Sequence, residues 1–157
     1  MALNRDFEDL FRCLNSAHAK YLVVGAYAVI FYTEPRYTKD IDIWIQPALE
    51  NAQRVYHALK RFGAPVRALT VQDLANPNLV YQMGIAPNRI DILMGIGGLS
   101  FDEGWKNRRA SRYGKERVYF LSREDLIRAK RAAGRLQDKI DIRWLSADAR
   151  RRKRKSR

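Results

Sequence analysis

Cysteine is nearly absent from this 157-residue chain: Cys13 stands alone, so no internal disulfide can form. It falls on the apolar side of an expected helix and reads as a small buried hydrophobe. Histidine is scarce as well. His18 and His57 have no cysteine or carboxylate at zinc-like spacing, so the chain offers no basis for a zinc site. No apolar run approaches the ~20 residues of a membrane helix. Asp6, Glu8 and Asp9 do not suit a signal peptide. These absences point to a cytoplasmic protein without a membrane partner. Acidic residues are also in short supply, 17 against 30 Lys and Arg, which leaves a net charge of +13.

An apolar content of 46% with 11% aromatics fits a folded protein of one domain, read as residues 1–149. Residues 150–157 carry seven basic side chains and no acid, a block expected to be disordered and self-repelling. Such a block is either an electrostatic handle for RNA or DNA or a solvated tail. Arg108, Arg109, Arg112, Lys115 and Arg117 keep the rest of the chain basic and favour a nucleic-acid contact.

Periodicity places helices at Asp6–His18, Ala26–Tyr32, Pro47–Phe62, Phe101–Arg109, from Ser122 to Ala133, and at Leu136–Leu145. Ser122 reads as an N-cap, with Asp125 in the reciprocal capping-box position. Strands are expected at Tyr21–Val24, Asp40–Ile45, Leu79–Met83, Arg89–Met94 and Val118–Leu121, the third and fourth forming an antiparallel pair. Helices and hairpin-like strands interleave. The expected fold class is α+β (mixed α/β), a mixed sheet with helices mainly on one face and helices at the C-terminus. Trp44, Trp105 and Trp144 read as packing aromatics rather than base-stacking platforms. Gly95–Gly98 matches no phosphate fingerprint and reads as a flexible rim.

The chemistry concentrates in Asp40-Ile41-Asp42-Ile43-Trp44-Ile45. Alternation puts Ile41, Ile43 and Ile45 on one face of a strand and Asp40 and Asp42 on the other, roughly 7 Å apart. Asp is disfavoured in strands, so two on one face need a reason. Asp91, in the similarly patterned Arg89-Ile90-Asp91-Ile92-Leu93, reaches the same face if the strands are neighbours. Three carboxylates within roughly 6 Å repel by about 3 kcal/mol per pair at an effective dielectric near 20. For any one of them, an ion pair with Arg36, Lys39 or Arg89 is the simpler account. Together they favour divalent metal, Mg2+ or Mn2+, which takes oxygen ligands and bridges substrate phosphates. Gly25-Ala26 follows a buried strand and opens a helix, where backbone N–H groups and the helix dipole suit phosphate.

These segments resemble the minimal nucleotidyltransferases of the DNA polymerase beta-like superfamily. The resemblance rests on Leu22-Val23-Val24-Gly25-Ala26, Arg36-Tyr37-Thr38-Lys39-Asp40-Ile41-Asp42-Ile43 and Arg89-Ile90-Asp91-Ile92-Leu93. Leu121 to Ile142 is similar to the C-terminal helices of the stand-alone bacterial branch, which is related to abortive-infection and toxin–antitoxin nucleotidyltransferases. The likeness spans roughly residues 20 to 145. It implies a nucleotidyltransferase-like fold, with Asp40 and Asp42 binding both metal ions and Asp91 completing the catalytic site. It further implies an NTP partner, cradled by Gly25 and Ala26 and faced by Lys39, Lys130 and Arg135. Asp138 and Asp141 would orient the helix end through Arg135 or Lys139. The chain departs from the family's usual Gly-Ser or Gly-Gly at Ala26, which removes a hydroxyl but keeps the backbone donors.

The implied activity is transfer of an NMP from an NTP to a hydroxyl of RNA or tRNA, a protein or a small molecule. A rival reading is the same fold without turnover, acting as a nucleic-acid-binding protein or as a toxin–antitoxin partner. A metal-dependent nuclease would use the same carboxylates but leaves the Gly25 cradle unexplained.

Overall fold

The alternating run becomes a central strand, β2 (Asp40–Ile45), of a six-stranded mixed sheet in a computed structural model that describes residues 3–34, 38 and 40–155, with backbone alone at 148 and 149. The other strands are β1 (Tyr21–Val24), β3 (Val80–Met83), β4 (Arg89–Leu93), β5 (Arg109–Tyr113) and β6 (Glu116–Phe120), in spatial order β3-β4-β2-β1-β6-β5. β1 runs antiparallel to β2, with Val24 opposite Asp42. β4 runs parallel to β2, and its register sets Asp91 beside Asp42 and Arg89 beside Asp40. β3 and β4 form the expected antiparallel pair.

Pleating sorts the two faces. Ile41, Ile43 and Ile45 are fully buried, and each such burial stabilises by about 2 kcal/mol. Their face is covered by helices α1 (Arg5–Ser16) and α3 (Leu49–Phe62), which pack together. The α1 stripe of Phe7, Leu10, Phe11 and Leu14 lies in the core, and the Phe11 ring stacks on Tyr21. Asn4 caps α1 by accepting from the N–H groups of Asp6 and Phe7. On the opposite face Trp44 meets Phe101 of α5 (Phe101–Lys106), with ring centroids 5.2 Å apart. Gly104 permits that approach, because a Cβ there would sit 2.8 Å from Leu121 and 3.2 Å from Trp44. So α5 covers the Trp44 end of this face and leaves the Asp40–Asp42 end to the cleft.

Helices α2 (Gly25–Tyr32), α6 (Arg123–Ala133) and α7 (Leu136–Lys155) close that end, α2 packing on both of the others. A short α4 (Val71–Leu74) and the edge strand β5 were not expected from the sequence. β5 reads Arg-Ala-Ser-Arg-Tyr and is largely exposed at the sheet edge, so burial stamped no apolar alternation on it. Its pairing comes from the turn around Gly114. The expected helix to Arg109 ends at Lys106 instead.

Two further expectations are corrected. α7 does not stop at Leu145 but continues to Lys155, so Arg150–Lys155 lie in helical turns rather than in a disordered block. Arg and Lys are good helix formers and favour a helix C-terminus. At α6, Ser122 accepts from the Asp125 N–H as expected, but the Asp125 carboxylate accepts from Asn107 rather than completing a capping box. Full capping boxes occur at Thr70–Asp73 and Ser100–Glu103. Cys13 is half-buried against the core. No described helix is long and apolar enough to cross a membrane.

Candidate active site

Parallel register between β2 and β4 brings the three aspartates together. Each of Asp40, Asp42 and Asp91 offers a carboxylate oxygen, and these oxygens lie within 4.8 Å of one another. Asp91 is buried and Asp40 and Asp42 are partly exposed. Burial first, and then the charges of Asp40 and Asp91, push the Asp42 carboxyl up to about 7. Asp40 is raised as well, by burial and then by Asp91, with Arg89 opposing. Both shifts come first from burial, which disfavours the charged form, and second from the crowding of like charges.

Arg89 is the counter-charge in place. Its Nε and Nη2 each donate to Asp91 at 3.0 Å, a bidentate pair, and Nη2 stands 3.7 Å from Asp40. In sequence Arg89 was one of three candidate ion-pair partners, and the shared strand β4 is what selects it. The two others, Arg36 and Lys39, lie outside the described residues, and so does the expected nucleotide contact of Lys39.

Gly25 stands at φ +68°, in the left-handed region that favours glycine. A Cβ built there would collide with Asp42 Oδ2, so the glycine is what allows the β1–α2 turn to touch the acidic cluster. Val24, the residue preceding α2, provides no side-chain cap. The first N–H groups of α2, which Gly25 and Ala26 open, therefore lack a side-chain acceptor from the cap position, next to the Asp42 carboxylate that Gly25 approaches.

A cavity of about 140 Å3 joins Gly25 and Asp42 to Lys130, Arg135 and Asp138, with Leu93, Ile96 and Leu126 along its apolar wall. Lys130 is buried, and its Nζ lies 3.2 Å from Asp138 Oδ1 and 3.0 Å from Asp141 Oδ2. Arg135 is mostly exposed and donates to Asp138 from Nε at 2.7 Å. Burial alone would raise the Asp138 carboxyl, but the hydrogen bonds from Arg135 and Lys130 outweigh it and hold it below the usual range. The sequence suggested Arg135 or Lys139 as the partner of these acids. Arg135 is one, and the second is Lys130 rather than Lys139. The pairing of residues eight and eleven positions apart crosses a helix break at Gly134, which no single-helix spacing rule reveals.

The donor set fits a divalent cation. It consists of hard carboxylate oxygens, closely grouped, with two of the carboxyls raised by burial and by their acidic neighbours. Asp40, Asp42 and Asp91 are the residues that would hold it.

Residues 2–147 match the profile of a family described as nucleotidyltransferase of unknown function (DUF6036). No curated protein matches at a significant level. Among solved structures, the lincomycin-bound lincosamide antibiotic adenylyltransferase LnuA is similar in fold, with a TM-score of 0.56 and 15% identity. That likeness covers 94% of this chain and 98% of the other.

Proposed function

We propose, for a chain that belongs to this family of nucleotidyltransferases, the transfer of a nucleoside monophosphate from an NTP to a hydroxyl acceptor, dependent on Mg2+ or Mn2+. The observation that carries the reading is the convergence of Asp40, Asp42 and Asp91 beside the Gly25 turn. Bound divalent ions would supply charge neutralisation for the triphosphate and for the attacking and leaving oxygens.

The chain's own groups supply position. The N–H groups that open α2 at Gly25 and Ala26 hold phosphate oxygens, and Lys130 and Arg135 face the same anion across the cleft. Asp91 accepts the proton of the acceptor hydroxyl, whose oxygen forms a bond to the α-phosphorus. The bond from that phosphorus to the bridging oxygen breaks, and pyrophosphate leaves. Leu93, Ile96 and Leu126 keep one wall apolar, which strengthens every electrostatic contact inside. The acceptor class that the basic surface favours is RNA, including tRNA, ahead of a protein or small-molecule hydroxyl.

Incubation with Mg2+ and each labelled NTP, with bulk RNA and protein as acceptors, tests this. The wild type transfers label and Asp40→Ala loses about a hundredfold or more. Transfer that persists in Asp40→Ala, or none with any combination, sinks the reading.

A second reading is favoured by Arg89, whose guanidinium already neutralises Asp91. In it the fold binds nucleic acid or a toxin–antitoxin partner without turnover. It expects RNA binding indifferent to Mg2+ and to Asp42→Asn.

A further inference from the structure

Helices α2 and α6 run antiparallel from the cleft to a second, strongly basic region. Gly25 and Lys130 line the cleft, whereas Tyr32 and Ser122, at the other ends of the same helices, line a cavity of about 530 Å3. One helix length separates the two, roughly 10–12 Å at 1.5 Å per residue. Arg109, Arg123 and Arg152 line this second cavity, with Glu124 the acid among its described lining residues. Arg123 ties the region together, donating to the carbonyls of Tyr32 and Leu145.

A hollow of about 330 Å3 is lined by Thr33 and Arg151, the chain neighbours of the Tyr32 and Arg152 that line the second cavity. Arg143, Arg151 and Trp144 of α7 line that hollow, with Glu34 the acid among its described lining residues, 3.9 Å from Arg151. Trp144 is 50% exposed. Core packing does not account for it, in contrast to Trp44, which is buried, and Trp105, which packs against Phe101 and Tyr119. An exposed indole among arginines is the combination that stacks a base while neutralising the phosphates on either side.

We infer that the α7 face around Trp144, with the arginine-lined cavity at the ends of α2 and α6, binds the single-stranded segment of an RNA acceptor next to its reacting 3′ end. Trp144 stacks a base, and Arg143, Arg151 and Arg152 neutralise the adjoining phosphates. α2 and α6 set the distance to the catalytic carboxylates, a span that a short stretch of single strand covers. The inference rests on the nucleotidyl-transfer reading and names its acceptor surface.

Anisotropy of a 5′-labelled single-stranded RNA of about a dozen nucleotides, titrated with full-length protein over a range of salt, tests it. Trp144→Ala should weaken binding by about five- to hundred-and-fifty-fold, and Trp144→Phe should recover most of that affinity. Arg143→Glu with Arg152→Glu should flatten the slope of log affinity against log salt by about 0.7 for each phosphate that is no longer neutralised. Circular dichroism and the melting midpoint check that each variant folds, and the arginine pair decides the matter if Trp144→Ala does not. NTP binding should be unchanged in all of these variants. Asp42→Asn should bind RNA like the wild type while failing to transfer. Wild-type affinity and salt slope in both the Trp144→Ala and arginine variants would overturn the surface, whatever the transfer assay gives. So would equally tight binding of polyglutamate that ignores Trp144. Loss of transfer to every acceptor with the Trp144 and arginine effects intact would instead remove the enzymatic reading and leave the surface standing.

Discussion

Asp42 is where charge, burial and backbone meet most tightly. Its carboxyl is raised from an ordinary 3.8 to about 7 by burial and by its two acidic neighbours, and Gly25 has no Cβ to spare it that proximity. Because the folded protein holds this proton more tightly than the unfolded chain, the contribution to stability is full below about 4. It is lost as pH rises toward 7. Urea unfolding without divalent cations should therefore show stability falling across that window, and Asp42→Asn should flatten the fall. A pH profile identical in wild type and Asp42→Asn would mean that the carboxylates are already neutralised by Arg89. Asp40-Ile-Asp-Ile is legible in sequence as a two-faced strand because the pleat has a period of two. The company of Asp91 is not, since only strand pairing brings residues so far apart in sequence side by side.

Among elements, the joint between α6 and α7 is the most instructive. Lys130 on α6 is buried between Asp138 and Asp141 on α7, so the two helices are pinned by a cation shared between two carboxylates. Removing one partner of such a group leaves uncompensated buried charge, which costs about 3–5 kcal/mol. Lys130→Met should lower the unfolding free energy by about that amount in denaturant titration. A drop under 1 kcal/mol would mean that water reaches the joint. The amphipathic helices α1 and α3 were legible because one face of each is buried, which imposes a 3.6-residue period. β5 was hidden for the converse reason. The run of α7 beyond Leu145 was hidden because Ser146-Ala147-Asp148-Ala149 followed by six basic residues has no apolar face to read.

For the whole molecule, a net charge of +13 is a cost to compactness and an advantage in meeting polyanions. Salt screens both effects, with opposite outcomes. The melting midpoint should rise by a few degrees between about 0.05 and 0.5 M salt as self-repulsion is screened, while RNA affinity falls over the same range. A midpoint that fell with salt in scanning fluorimetry would show that attractive exposed ion pairs such as Arg128–Glu103 outweigh the repulsion.

Sequence by itself determined the mixed α and β character, the strand that carries Asp40 and Asp42, and the glycine turn at Gly25. These are local matters of side-chain period and backbone freedom. Tertiary structure alone decided that Arg89 is the cluster's counter-ion, that Lys130 is shared by Asp138 and Asp141, and that Trp144 faces solvent beside arginines. Each of these depends on which elements end up as neighbours. Neighbourhood is set by the sum of many weak packing interactions, and no single stretch of chain encodes it.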